Sequence, residues 1–157
     1  MTSANDGEDG SGAMTVVVGV DGSEGSHRAL RWAAAEAAVR GDALELVHVW
    51  DAPQSYAPVD MEVYAPDPEP VRNASQQLLD ELVATARDLA PDIEVRGSLV
   101  PGPPAHALLE AARTADLLVV GSRGLGGFKS LLLGSVSQQV THHAPCPVVI
   151  VPEQDWR

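Results

Sequence analysis

Residues Val16-Val17-Val18-Gly19-Val20-Asp21-Gly22-Ser23 form a short β-branched run closed by an Asp-Gly-Ser turn. Such a run, apolar at consecutive positions, is the pattern of a strand buried on both faces. The Asp-Gly pair admits a hairpin, which would require a second strand immediately afterwards. Instead Ala29, Leu30, Ala33, Ala34 and Ala37 recur at helical spacing and end at Gly41. Strand, loop, helix is therefore the predicted order.

The same unit repeats outward from this stretch. Leu44 to Trp50 predicts a second strand, and the prolines at 53, 58, 66, 68 and 70 forbid a regular element across 51–70. Helical periodicity returns with Leu78, Leu79, Leu82, Val83, Ala86 and Leu89 and stops at Pro91, before a third strand over Ile93 to Val100. After Pro101-Gly102-Pro103-Pro104, the stripe Ala105, Leu108, Leu109 and Ala112 leads into Asp116-Leu117-Leu118-Val119-Val120-Gly121. A glycine-rich loop, a helix beginning near Ser135 and the strand Val148 to Val151 complete five strands and four helices in alternation. Strict alternation with two-sided apolar strands implies a doubly wound α/β fold: a parallel sheet with helices on both faces. Ligands of such sheets sit at the carboxyl ends of strands where the winding reverses. The loops after strands one and four are the places to look.

Composition narrows the function classes. The chain has 157 residues, 45% hydrophobic but only 4% aromatic, so one domain with an aliphatic core is expected. We assign residues 1–13 to a disordered acidic tail, 14–152 to a single domain and 153–157 to a C-terminal tail. Twenty-two acidic against 10 basic side chains give −12, but Asp6, Glu8 and Asp9, together with Asp51, Asp60, Glu62, Asp67 and Glu69, carry eight of those charges. The remaining body has no basic stripe to neutralise a polyanionic backbone, which excludes a nucleic-acid groove but not a single small phosphate ligand. No apolar run approaches the roughly 18 to 20 residues of a membrane span. The lone Cys146 cannot close an intrachain disulfide, and the N-terminus lacks the layout of a secretory signal, so a cytoplasmic location is expected.

The chemistry is concentrated after strand four, where Gly121-Ser-Arg-Gly124 through Gly134-Ser135 reads G-x2-G-x9-G-S. Glycines let backbone amides approach an anion, and a helix starting at Ser135 aims its unpaired N–H groups and positive dipole end at the same place. A Walker A loop is excluded because Phe128, not glycine, precedes Lys129, and no G-x-G-x-x-G follows either strand.

Each candidate residue has a plain reading beside the functional one. Ser135 could be an N-cap, with Ser135-Val-Ser-Gln138 as a capping box, as well as a phosphate contact. Asp21 could make only local turn hydrogen bonds, or meet a ligand at the switch point, or share a Mg²⁺ with phosphate oxygens. Arg123 and Lys129 are the only cations in the loop; Lys129 suits solvated surface, and Arg123 could offset phosphate charge. His142 and His143 point about 100° apart on a helix, so they do not grip one metal together with Cys146. We assign no metal site and no hydrolytic triad.

The stretch VVVGVDGS, the alanine-rich helix, the G-x2-G-x9-G-S loop and the closing Ala144-Pro-Cys-Pro-Val-Val-Ile-Val closely resemble the universal stress protein family, over essentially residues 14 to 152. The resemblance is to its single-domain, ATP-binding branch. It implies strand order 3-2-1-4-5 in a Rossmann-like, adenine nucleotide alpha hydrolase-like fold. It also implies that Gly19, Val20 and Asp21 meet the adenine or ribose side, and that Val49 or a neighbour flanks the base. Val120, Gly121, Arg123, Gly124, Gly134, Ser135 and Val136 would hold ribose and phosphates of ATP with Mg²⁺. The last strand would lie at a sheet edge, and pairing with its twofold mate through Val148 to Val151 would make a homodimer. The expected function is a nucleotide-dependent stress-response regulator. A slow ATPase or autophosphorylating enzyme, a cyclic AMP binder and a nucleotide-free interaction module are the rivals. The proline-rich acidic segment 51–70 is less easily matched to the family.

Overall fold

The computed structural model describes residues 12–51, 66–126 and 130–153. Most of the two expected tails, most of segment 51–70 and Lys129 lie outside these residues. Five strands alternate with four helices: β1 (Thr15–Val20), α1 (Glu24–Arg40), β2 (Ala43–Trp50), α2 (Glu69–Leu89), β3 (Val95–Pro101), α3 (Pro104–Ala112), β4 (Leu117–Gly121), α4 (Ser135–His143) and β5 (Val148–Val151). The strands form one sheet in the order β3-β2-β1-β4-β5, and every pairing is parallel. Strand order and sheet type agree with the expectation.

Side-chain alternation along each strand divides the core into two layers. Val16, Val18 and Val20 of β1, Leu44 and Leu46 of β2 and Val119 of β4 pack with α1 and α2. Val17, Val47, Leu118 and Val120 face the other way, onto Leu108 and Ala112 of α3 and Val140 of α4. Both faces of the central strands are therefore dry, which is why these strands read as continuous apolar runs rather than alternating ones. Each fully buried Val or Leu contributes roughly 1.5–3 kcal/mol from area removed from water. Alanines at 29, 33, 34 and 37 are buried, and their small size lets α1 lie close over β1 and β4.

Helix boundaries follow local chemistry. Ser23 caps α1, its hydroxyl accepting from the Ser26 amide at 3.1 Å, and Gly41 closes the helix at φ 73°, returning its N–H to Ala37. At the opposite end of the sheet, the Asp42 and Asp116 carboxylates accept from the amides of Met14 and Thr15 and fix the entry to β1.

Two boundaries differ from the expectation. Helix α2 begins at Glu69, nine residues before Leu78, so the prolines do not keep 69–70 out of a helix. Pro68 is the N-cap and Pro70 lies in the first turn, where a missing N–H costs no intrahelical bond. Strand β3 starts at Val95 rather than Ile93 and runs through Pro101, which pairs with Trp50 at the end of β2. A proline is tolerated there because β3 is an edge strand.

Candidate functional site

Strands β1 and β4 are neighbours whose connections leave to opposite faces of the sheet, α1 to one and α4 to the other. The space above their carboxyl ends is the switch point of the fold. Three structures converge on it: the turn Asp21–Ser23, the loop that follows β4, and the N-terminus of α4.

Asp21 joins the first two. One carboxylate oxygen accepts from the Ser23 amide at 2.9 Å, a local turn bond, and the other accepts from the Leu125 amide at 3.1 Å. The reading in which Asp21 makes only local bonds is thereby corrected: the carboxylate anchors the glycine loop to the end of β1. Gly22, at φ 80°, provides the left-handed backbone that this turn requires.

The loop is also fastened at its far end. Gly134 donates to the Ser122 carbonyl at 2.7 Å, and the Ser137 hydroxyl lies 2.8 Å from the Gly121 carbonyl and 3.0 Å from that of Ser122. Ser137 is only 3% exposed. These bonds draw the first turn of α4 onto the end of β4.

The glycines of the motif have different reasons to be glycine. A Cβ on Gly121 would lie 2.8 Å from the Gly25 carbonyl oxygen, and one on Gly25 would lie 2.6 Å from that of Arg123. The first turn of α1 and the end of β4 are in backbone contact there. A Cβ on Gly124 would lie 2.5 Å from the Asp21 carboxylate. Gly134 is different, because its backbone is at φ −70° and the nearest atom to a Cβ would be the Arg123 Cα at an ordinary 3.4 Å. Internal packing accounts for glycine at 121 and 124 but not at 134.

Helix α4 begins at Ser135 with Gly134 as N-cap and no side-chain cap. The capping-box reading of Ser135 is therefore corrected. A glycine N-cap pushes Ser135 into the first helical position, where its exposed side chain caps nothing. Four N–H groups at any helix start lack intrahelical partners. Here the Gly134 N–H is taken by the Ser122 carbonyl, and those that follow it carry no side-chain cap.

The remaining predicted residues take these places. Val20 and Val120 are buried, and Val136 is half-buried against the α3–α4 layer. Gly19 faces Leu108 of α3, whose methyls would stand 3.0 and 3.1 Å from a Cβ. Val49 packs into the α3–α4 layer. Arg123 reaches Glu153 beyond β5 at 3.6 Å.

Beside Asp21, an open groove of about 510 Å³ lies between the end of β2 and the first turns of α2. Asp21, His48, Val71, Ala74, Leu78 and Leu125 are among its walls. The size suits a small ligand. His48, the immediate neighbour of Val49, is 7% exposed, and its Nδ1 lies 2.8 Å from the Val20 carbonyl. Sequence reading missed His48, Ser137 and Gly25. The first two are polar residues at buried helix or strand positions, a signal present in the sequence; the role of Gly25 depends on a contact made across 96 residues.

Titratable chemistry is sparse. Among the described residues no group of three or more His, Cys, Asp or Glu side chains could hold a metal. Burial pushes the Cys146 thiol up from its ordinary range, and the Asp116 charge acts in the same direction against a backbone hydrogen bond at Leu118. Among the described residues no helix is long and apolar enough to cross a membrane.

This is a doubly wound α/β protein whose candidate site lies at the switch point, where the loop after β4 and the start of α4 meet the end of β1. The chain belongs to the universal stress protein family, whose sequence pattern matches residues 13–152. A universal stress protein of Mycolicibacterium smegmatis is 38% identical over 138 residues, 88% of this chain and 45% of the relative. One from Thermus aquaticus is 38% identical over 139 residues, 87% of this chain and 97% of the relative. The chain thus spans about half the length of the mycobacterial relatives but nearly all of the Thermus one. Among solved structures, a universal stress protein in complex with cAMP aligns with TM-score 0.63 and 35% identity over 90% of this chain and 98% of the other. The universal stress protein from Archaeoglobus fulgidus in complex with dAMP aligns with TM-score 0.63 and 26% identity over 88% and 97%.

Proposed function

We propose that this chain binds an adenine nucleotide, ATP carried with Mg²⁺, with the base in the groove beside Asp21 and the phosphates at the uncapped start of α4. The observation that carries this reading is Gly134. It leaves the helix N-terminus open to an anion, and among the described residues no packing contact requires a residue without a side chain there. Gly19, Val20, Val120, Gly121, Gly124, Ser135 and Val136 are the backbone around that path. Val49 supports the base only through its main chain, since its side chain packs into the core. Arg123 stands close enough to contribute positive potential while paired with Glu153.

The Asp21 oxygens already accept from Ser23 and Leu125. Mg²⁺ therefore enters on the phosphates and not on a protein cage. No general base or nucleophile is arranged beside the loop among the described residues, so the reading is a nucleotide-responsive regulator and not a fast catalyst. The location assigned is the cytoplasm, in keeping with a free Cys146.

A second reading, cyclic AMP in place of ATP, is supported by the 35% identical neighbour whose structure holds that ligand. Thermal denaturation with Mg·ATP, AMP and cyclic AMP separates the two. A ligand bound only by the native state raises the melting temperature in a concentration-dependent way. A shift with Mg·ATP supports the first reading, a shift with cyclic AMP alone the second, and no shift with any of the three overturns both.

We also assign a homodimer through β5. Its position at the sheet edge leaves a row of backbone groups unpaired, and Val148 to Val151 are only partly covered.

A further inference from the structure

His48 sits at the end of β2, 93% buried, with one ring nitrogen committed and the other not. Its Nδ1 lies 2.8 Å from the Val20 carbonyl, and a carbonyl oxygen only accepts, so Nδ1 carries the hydrogen. In the neutral ring Nε2 is then a lone-pair acceptor. Nε2 has no hydrogen-bond partner among the described residues and is not sealed from solvent. The side chain lines the groove beside Asp21. Two other polar side chains line the groove: the Asp21 carboxylate, occupied by two backbone amides, and Ser75 on the first turns of α2. Pro70, Val71, Ala74, Leu78 and Leu125 make the rest of the wall largely apolar, a surface suited to the faces of a flat ring.

We infer that Nε2 of His48 is the acceptor that selects a purine bearing a 6-amino group over one bearing a 6-oxo group. This rests on the adenine-nucleotide reading above and specifies how the base is chosen. The Val20 carbonyl is the positioning element: by fixing the proton on Nδ1 it denies the ring a donor toward the groove. A 6-amino group gives Nε2 a hydrogen bond. A 6-oxo group sets two lone pairs against each other, which leaves both acceptors without a donor and costs binding.

Calorimetric titration with ATP, ITP, the triphosphate of 6-unsubstituted purine riboside and 2′-deoxy-ATP tests this. The wild-type chain is expected to prefer ATP over ITP by roughly tenfold or more, with the unsubstituted purine between them and 2′-deoxy-ATP close to ATP. His48→Asn keeps an amide donor for the Val20 carbonyl but removes the acceptor. It should bring ATP and ITP within about twofold, through weaker ATP binding. His48→Gln, which places an amide oxygen near the Nε2 position, should retain part of the preference and serves if the Asn variant does not fold. An unchanged ATP-to-ITP ratio in the folded variants, or equal wild-type affinities, overturns the assignment while leaving nucleotide binding standing. A loss confined to 2′-deoxy-ATP would place the ring on the sugar and also overturn it. Binding of none of the four would overturn the nucleotide reading itself.

Discussion

The Asp21 carboxylate accepts a hydrogen bond from the Leu125 amide at 3.1 Å, across 104 residues of sequence. The same carboxylate accepts from Ser23 within its own turn, so one side chain ties the end of β1, the start of α1 and the glycine loop together. Any residue that displaces it disturbs all three. Gly124 is the residue against which it packs.

Gly124→Ala should therefore act through Asp21. Its new Cβ falls 2.5 Å from a carboxylate oxygen, and moving that oxygen breaks the Leu125 bond. We expect a loss of about 1 kcal/mol in stability. In an Asp21→Ala background the same change should cost almost nothing. A double-mutant cycle by urea denaturation measures the difference, and additive losses would show that the two residues are not coupled.

Gly121 and Gly134 should separate structure from ligand. Gly121→Ala puts a Cβ 2.8 Å from a backbone oxygen of α1, and neither partner is a flexible side chain. A destabilisation of about 2–3 kcal/mol is expected. Gly134→Ala meets only ordinary contacts at a φ that alanine adopts freely. Its melting curve should match the wild type within about 1 kcal/mol, while nucleotide affinity falls roughly tenfold because the methyl occupies the approach to the α4 amides. Equal affinity would remove Gly134 from the site.

Cys146 supplies the pH dependence. Its folded thiol is held above the ordinary 9.0 by burial first, with a backbone hydrogen bond at Leu118 opposing the shift and the Asp116 charge adding to it. Folding thus favours the protonated form. The stability contributed is full below about pH 9 and is lost as pH rises toward the folded value. Alkylation near neutral pH, read by mass shift, should be slower in the native protein than in urea, since the thiolate is the nucleophile. Equal rates would contradict the burial argument.

The dimer prediction turns on direction along β5. Leu118 donates to the Pro147 carbonyl and Ser122 to that of Val151. Alternate residues of a strand face opposite neighbours, so Val148 and Ile150 present their N–H and C=O outward. Ile150→Pro removes an outward donor without touching the β4 ladder. Sedimentation should show dimer for wild type and folded monomer for the variant; monomeric wild type at micromolar concentration would contradict the assignment.

The layout of the sheet was legible because β1, β4 and β5 are apolar at nearly every position, β2 is mostly apolar despite Glu45 and His48, and the alanines of α1 repeat on one face. The start of α2 was not, because Val71 through Gln77 carry no core residue and the prolines before them suit a helix start as well as a loop. At the site, the glycine spacing marked the right loop but not the reason for each glycine. Gly121 and Gly124 answer to Gly25 and Asp21, contacts that depend on tertiary placement. Ser135 does not make the capping-box bonds expected of it, because Gly134 holds the N-cap, and the bonds of Ser137 to the carbonyls of Gly121 and Ser122 depend on how α4 is laid on β4.

Central to the account is an adenine nucleotide with its phosphates on the first-turn amides of α4 at Ser135 and Val136, beside Gly134, whose own amide is bonded to Ser122. Isothermal titration of Mg·ATP into the wild-type chain and into Gly134→Ala tests it most directly. Saturable heat with one site per chain, much weakened in the variant at unchanged melting temperature, is the predicted result. Absence of heat with Mg·ATP, AMP and cyclic AMP alike would contradict it.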